Sequence, residues 1–374
     1  MAEQLQRLGH EPILFAAERG AGVAVARERG IPLCKEGEMP REFDAALVQD
    51  AAVSHEVAVR HPSAPQVFVA HSETFDLQAP PQVGDAVRTV VALNERVAAR
   101  MRSFAVEREV VRLRQPIDTE RFTSRTPLPE RPRRALLLSN TPHGDRLGLI
   151  EAACAAADIE LVRVGGRGRQ IADPLDSLHG AEIVIGYGRS ILEAMACGRA
   201  AYVYDWNGGD GWVTAESYPL IEADGFAGRS GETVIDGERM AADLRAYSPA
   251  MGLVNHDLVI AHHRANQHAQ ELLRLFGDLG AAPAAQPASL DEMARLVRLE
   301  WRARLDVHTL GIENAVLRDQ LARAERKRGE AQEAAEIEAK KGEQLARAYE
   351  ATLSWRLTAP VRAIGKLVRR LRRR

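Results

Sequence analysis

The residues best suited to chemistry lie within 183–213, IVIGYGRSILEAMACGRAAYVYDWNGGDGWV, where an apolar strand runs into a glycine-rich turn, a helix, a second strand and another glycine-rich stretch. Gly186 and Gly188 allow the backbone to approach a ligand closely. A helix opening near Arg189 and Ser190 presents unpaired N–H groups and the positive end of its dipole, an arrangement that binds anions such as phosphate. Glu193 follows one turn later, where a carboxylate can accept hydrogen bonds from ribose hydroxyls. The pattern reads as a nucleotide-phosphate cradle; a glycine turn that serves packing alone is the alternative.

Positioning such a cradle requires alternating strands and helices. Residues 1–10 read as a helix and 12–16 as a strand. Further strand signals fall at 43–49, 66–70 and 89–93, with helical segments between or after them. This alternation predicts βα units and a parallel sheet. Pro127, Pro129 and Pro132 then interrupt regular structure before a new apolar strand at 135–139, which places a domain boundary near residue 130. The second domain continues with a helix near 147–158, a strand at 160–164, a turn from Gly165 to Arg169, strands at 183–185 and 200–204, and one long helix over about 253–276.

The stretch Glu193-Ala194-Met195-Ala196-Cys197-Gly198 resembles the E-A-M-A-x-G segment in the donor-binding half of GT-B glycosyltransferases of the family-4-like group. Residues 90–122, with Gln115-Pro116-Ile117-Asp118 at their turn, resemble the end of the amino-terminal domain of such proteins, and the resemblance covers roughly 1–276. It implies two Rossmann-like, doubly wound α/β domains facing a cleft: an acceptor-side domain over 1–126 and a nucleotide-sugar-binding domain over 133–276. Gly188, Arg189, Ser190 and Glu193 inherit donor-binding roles by position, Glu193 at the ribose and the preceding turn at the diphosphate. Gly208 and Gly209 are expected to bring loop backbone close to the donor sugar, and Asp210 to bind its hydroxyls; an ordinary Asp-Gly turn is the alternative. His71, where a strand should end, is expected to face ligand as a general base beside Ser72 and Glu73, against a structural histidine. Two departures stand out. Leu5 to His10 matches the end of the family's first helix, so the first strand is expected to be missing, unless the fold begins with a helix. Ile185 stands eight residues before Glu193, where retaining members usually carry a second Glu, so retention or inversion is left open.

Composition sets the wider frame. The chain has 374 residues, 45% hydrophobic and 27% charged, as expected of globular domains rather than disorder. A formal net charge of −2 excludes a global field for nucleic acid. Cys34, Cys154 and Cys197 form no C-x-x-C pair, which argues against zinc, redox and disulfide motifs. His256, His262, His263 and His268 lack paired carboxylates, so no metal and no cofactor is expected beyond a nucleotide-sugar co-substrate.

After a Pro/Ala/Gly linker at 277–289, a long helix or weak coiled coil is expected over 290–350. Leu296, Ala303, Leu310, Leu317 and Ala324 repeat every seven residues as one seam position, and Met293, Val307, Asn314 and Leu321 lie on the other. Beyond Ala324 the seam decays at Arg328, Glu338 and Gly342. Self-association through the Leu-rich part and folding back onto the globular body are the two expectations. In the tail, 351–374, an apolar stripe lies among basic residues, with Arg362, Lys366, Arg369 and Arg370 placed to contact an anionic membrane surface. A nucleic-acid tail would use the same charges, but the stripe and Trp355 favour the membrane. Ser354-Trp355-Arg356-Leu357-Thr358-Ala359-Pro360 resembles the S-W-R-x-T-x-P segment of bacterial polysaccharide glycosyltransferases.

The expected function is transfer of a sugar, hexosyl in type, from a nucleotide-sugar to a cell-envelope glycan or lipid-linked acceptor. The site would lie on the cytoplasmic face of the inner membrane, the protein being peripheral there. A catalytically degenerate GT-B domain that binds nucleotide or glycan and recruits other enzymes to the membrane is the alternative. A sugar-nucleotide epimerase shares the architecture but lacks support from paired carboxylates beside the turn.

Overall fold

The computed structural model describes residues 1–15, 22–35, 37–81, 87–104, 108–124, 126–140, 144–165, 173–231, 234–279, 290–351, 358 and 360. The amino-terminal part contains, in order, α1 (Ala2–Arg7), β1 (Leu14–Phe15), α2 (Gly22–Glu28), β2 (Leu33–Cys34), β3 (Ala46–Val48), α3 (Ala51–Arg60), β4 (Gln66–Ala70), β5 (Thr89–Ala92), α4 (Glu95–Arg102) and β6 (Glu109–Arg112). The carboxy-terminal part runs through β7 (Arg134–Leu138), α5 (Gly144–Ala156), β8 (Glu160–Val164), α6 (Leu175–His179), β9 (Ile183–Gly186), α7 (Arg189–Ala196), β10 (Ala200–Asp205) and β11 (Gly208–Trp212). It continues with α8 (Tyr218–Ala223), α9 (Gly237–Arg245), α10 (Ala250–His262), α11 (Ala265–Leu279) and α12 (Leu290–Glu350).

The expected α/β class is present: two main sheets, one all parallel and one parallel but for an edge strand, with helices, then one long terminal helix. In the first lobe β3, β4, β5 and β6 lie side by side in chain order and all parallel. Strands such as VFV at 67–69 and VVA at 90–92 are apolar at successive positions because both faces of a parallel sheet are covered. One face holds Phe68, Ala70, Val90 and Ala92 against Val97 and Met101 of α4. The other holds Val67, Val69 and Val91 against Leu272 and Leu275 of α11. Asp50 and Asn94 start α3 and α4 by accepting from the N–H groups of Val53 and Val97, at 2.8 and 2.9 Å. β1 and β2 pair with each other in parallel as a separate two-stranded sheet, and α1 packs on α11.

The second sheet has the order β11-β10-β9-β7-β8, parallel except for the edge strand β11. Its alternation sends Leu136, Val184, Ala201 and Val203 to one core, and Ala135, Leu137, Ile183, Ile185 and Tyr202 to the other.

The sequence predicts one helix over 253–276, whereas the structure contains two, α10 and α11, interrupted at His263 and Arg264. Ile117, between the lobes and fully buried, pairs with the break: its N–H donates to the His263 carbonyl at 2.7 Å and its carbonyl accepts from the Ala265 N–H at 3.0 Å. The His263 ring lies between the segment that connects the lobes and α8. Its Nδ1 bonds the Gln115 carbonyl at 2.8 Å and its Nε2 bonds the Tyr218 hydroxyl at 2.8 Å. His268 holds the Arg114 carbonyl in the same way at 3.0 Å.

From Val297 the chain forms a second compact unit, dominated by the solvent-exposed remainder of α12. Among the described residues no helix is long and apolar enough to cross a membrane. Of the linker expected over 277–289, residues 277–279 instead continue α11; residues 280–289 and most of the basic tail, with Arg362, Lys366, Arg369 and Arg370, lie outside the described residues, as does the S-W-R-x-T-x-P segment except for Thr358 and Pro360.

Burial drives the pKa of both His263 and His268 down to about 4, so each ring is neutral at pH 7, donating from Nδ1 to a carbonyl. A depressed histidine contributes stability that is complete above its unfolded pKa of about 6.5 and is lost as pH falls through the folded value. Unfolding free energy should therefore fall between pH 6.5 and pH 4, by up to roughly 3 kcal/mol for each ring. Urea unfolding across that window checks this, and His263→Gln should flatten the slope.

Candidate functional site

The glycine turn is built by crowding. A side chain on Gly186 would place its Cβ 2.6 Å from Ser190 Oγ and 2.9 Å from the Leu138 carbonyl, so β9 must end in glycine for α7 to sit so close to β7. Gly188 has φ +56 and ψ −128, outside the range comfortable for L side chains, and its N–H donates to the Phe226 carbonyl at 2.8 Å. Ser190 Oγ donates to the Tyr187 carbonyl at 2.8 Å and accepts from the Tyr187 N–H at 3.2 Å, so this hydroxyl braces the turn. Among the described residues no side chain caps the first N–H groups of α7. The helix thus opens with unpaired donors at the carboxyl end of a buried parallel strand, where ligands bind in doubly wound folds.

Arg189 starts that helix, and its Nε donates to Glu193 Oε1 at 2.8 Å. Burial pushes the Glu193 carboxyl up, against the pull of Arg189 and Arg121. A cavity of about 110 Å³ lies beside Arg189 and is lined also by Gln4, Arg29, Asp118, Arg121 and Phe122. Arg121 pairs with Asp173 at 2.9 Å and Arg29 pairs with Glu3. Arg189 thus meets residues of the first lobe and of the segment between the lobes, a grouping that no spacing in the sequence announces.

The glycine-rich stretch after β10, read from the sequence as a loop, is strand β11, paired antiparallel with β10. Gly208 has φ +126 and lies against Gly228, and a Cβ on Gly209 would sit 2.8 Å from the Val203 carbonyl and also strike the Tyr204 ring. These glycines permit the hairpin to pack. Asp210 Oδ1 accepts from the N–H groups of Ser230 and Gly231 at 2.9 and 3.0 Å, fixing that loop, whereas its Oδ2 is buried and has no hydrogen-bond partner among the described residues.

His71 is exposed just beyond β4, and surrounding protein lowers its pKa, so it presents a neutral imidazole at pH 7. Its neighbours do not form a base cluster with it. Ser72 Oγ accepts from the N–H groups of Thr74 and Phe75 at 3.1 and 3.0 Å, closing its own turn. Glu73 is held by Arg96 at 3.0 Å and by Arg229; burial opposes its ionisation, but these two guanidinium groups hold its carboxyl below the usual range.

Glu73 belongs instead to an ion-pair band that sequence reasoning missed. Arg96 also reaches Asp224 at 3.2 Å, and Glu222, 3% exposed, accepts Arg112 and Arg114, the latter at 3.4 Å. Gly225, at φ +75, abuts Asn94 so closely that any side chain there would collide. The band joins the carboxyl ends of β4, β5 and β6 to the last turn of α8 and the loop after it. Its members sit far apart in the chain, at unremarkable positions.

Arg146, in the first turns of α5, donates to the Asp205 carbonyl at 3.1 Å, and Arg167 and Arg169 lie outside the described residues. Among the described residues no group of three or more His, Cys, Asp or Glu could hold a metal ion.

No protein-family model matches the sequence, and no curated protein matches it. Among solved structures the chain is similar to Anabaena HepE (Alr3699), crystallised with UDP and glucose, at 13% identity and TM-score 0.49 over 73% of this chain and 94% of that one. It is similar to the spinosyn forosaminyltransferase SpnP at 12% identity and TM-score 0.41, over 74% and 94%. A third similarity is to accessory secretory protein 1, 2 and 3 of Streptococcus pneumoniae, at 11% identity and TM-score 0.35, over 62% and 53%.

Gly186→Ala should lower the unfolding free energy by roughly 1–3 kcal/mol, since the added methyl overpacks the β9–α7 turn. Denaturant titration measures this, and unchanged stability would show that α7 can move away at little cost.

Proposed function

We propose that this chain is a GT-B-type glycosyltransferase that uses a nucleotide-sugar donor and transfers its sugar, hexosyl in type, to a cell-envelope glycan or lipid-linked acceptor. The observation that carries the proposal is the start of α7 at the carboxyl end of β9, which no described side chain caps, with Arg189, bound to Glu193, lining a cavity that also gathers Arg29 and Arg121. Glycosyl transfer needs a diphosphate leaving group held while positive charge grows on the sugar ring. Here the α7 N–H groups, presented by Gly188 and Ser190, and the Arg189 guanidinium take the diphosphate. Arg189 then turns from Glu193 to phosphate, and the freed Glu193 carboxylate accepts from ribose hydroxyls. Backbone at Gly208 and Gly209 lies next to the donor sugar. The unpartnered Oδ2 of Asp210 supplies an acceptor for a sugar hydroxyl. His71, neutral at pH 7, takes the proton of the acceptor hydroxyl. Arginine supplies the positive charge that a metal ion would otherwise provide, and no cofactor is required.

Arg362, Lys366, Arg369 and Arg370 would hold the protein on the anionic cytoplasmic face of the inner membrane, close to a lipid-linked acceptor. The organism in this reading is bacterial, and nucleic acid is not a partner.

Ile185 supports a second reading. It is fully buried in a hydrophobic cluster with Leu137, Tyr202 and Met240, so no carboxylate projects from that point of β9. A catalytically degenerate domain that binds nucleotide or glycan and recruits other enzymes would retain the α7 cradle without turnover.

Thermal stabilisation by a panel of UDP-, GDP- and dTDP-sugars tests donor binding. Glu193→Ala should weaken the donor that binds by roughly 10- to 100-fold, the loss expected for hydrogen bonds to a charged group. Unaltered donor affinity and transfer in that variant would refute the ribose assignment. Donor hydrolysis or transfer by the purified full chain excludes the degenerate reading, whereas stabilisation without turnover favours it.

A further inference from the structure

We infer that residues 303–324 of α12 pair with the same segment of a second copy of this chain, as a parallel, in-register two-stranded coiled coil. In the single chain this segment leaves Val307, Leu310, Leu317 and Leu321 70%, 55%, 60% and 59% exposed. Four large apolar side chains at that exposure on one helical seam need another surface to cover them. They occupy alternating seam positions with spacings of three and four, which is the pattern of a left-handed coiled coil rather than of a helix lying on a globular core. The seam has ends: Glu300 stands on it before Ala303, and Arg328 after Ala324.

Asn314 selects the arrangement. It shares its seam position with Val307 and Leu321, whereas Leu310 and Leu317 occupy the other. In a parallel, in-register pair Asn314 meets Asn314 of the second copy, and the two amides satisfy each other. In an antiparallel pair it would meet Leu310 or Leu317 and bury an unpaired amide. A single asparagine at this type of position favours two strands over three or four.

Charge agrees with that choice. Glu313 and Arg318 flank the seam at positions that face each other across a parallel pair, five residues apart in opposite chains. Among the described residues neither makes an ion pair within its own chain. Nearby charges off this contact are paired locally, Arg304 with Glu300 and Arg323 with Asp319, both at 2.6 Å. The occupant that satisfies Asn314, Glu313 and Arg318 together is another copy of the same helix.

The test uses the full chain. Sedimentation equilibrium over a wide concentration range should show a reversible dimer, and Leu310→Glu with Leu317→Glu should weaken association about 100-fold or more. The thermal transition of the globular unit serves as the folding control and should not move. Asn314→Cys should give a covalent dimer on mild oxidation, because the three native cysteines are buried and a parallel register brings the new thiols within disulfide reach. A chain that stays monomeric at every concentration, whether its helix folds back or awaits a different protein, overturns the proposal. So does a dimer that the two Leu→Glu changes leave intact, or one that Asn314→Cys does not cross-link.

Discussion

The arrangement of the globular unit depends on the bridge between Ile117 and the break at His263–Arg264. A helix continuing from residue 250 to 279 would be straight, and its two ends could not serve two different sheets. The break lets α10 pack on α7 and β10 while α11 lies across the β3–β6 sheet, with Leu272 and Leu275 in its core. Interrupting a helix leaves backbone groups that must find partners elsewhere, and the Ile117 amide and carbonyl provide them. Because Ile117 lies in the segment between the lobes, one pair of hydrogen bonds satisfies the broken helix and anchors the crossover. Burial keeps the His263 ring neutral, so Nδ1 donates to the Gln115 carbonyl while Nε2 accepts from the Tyr218 hydroxyl.

With that joint in place, the carboxyl ends of the parallel strands face the loop after α8, and charge decides how closely they meet. Glu222 and Asp224 are 3% and 6% exposed, so their carboxylates depend on Arg112, Arg114 and Arg96 for compensation. Buried pairs of this kind add little net stability but make separation costly, because each partner would be left uncompensated. Gly225 serves the same contact sterically, admitting Asn94 where any side chain would collide.

The α7 cradle is held in readiness by interactions among its own residues. Ser190 ties the turn to Tyr187, Gly188 ties it to Phe226, and Arg189 and Glu193 neutralise each other across one helical turn. An anion arriving at the helix start would compete for Arg189 with a carboxylate that burial already disfavours. The unpartnered Oδ2 of Asp210, beside Asp224, is the other atom whose situation a hydroxyl donor would improve.

Local features were legible in the sequence because their causes are local. Runs such as VFVA and IVIG read as strands bounded by turn residues, and Gly188 marks a turn that few other residues can make. The glycine-rich stretch at 208–212 misled because glycine suits a loop and a tightly packed edge strand equally, and only Val203, Tyr204 and Gly228 pressing against it decide between them. The continuous pattern of 253–276 likewise carries no sign of a break, since the break is stabilised by Ile117, far away in the chain. The amino-acid sequence alone determined the α/β class, most of the longer strands and the residues of the α7 turn, all governed by neighbours within a few positions. The tertiary structure alone decided that Arg121 stands beside Arg189 and that Glu73 is bound to Arg96 and Arg229 rather than to His71, because charge and hydrogen bonding act through space between residues whose spacing along the chain has no period.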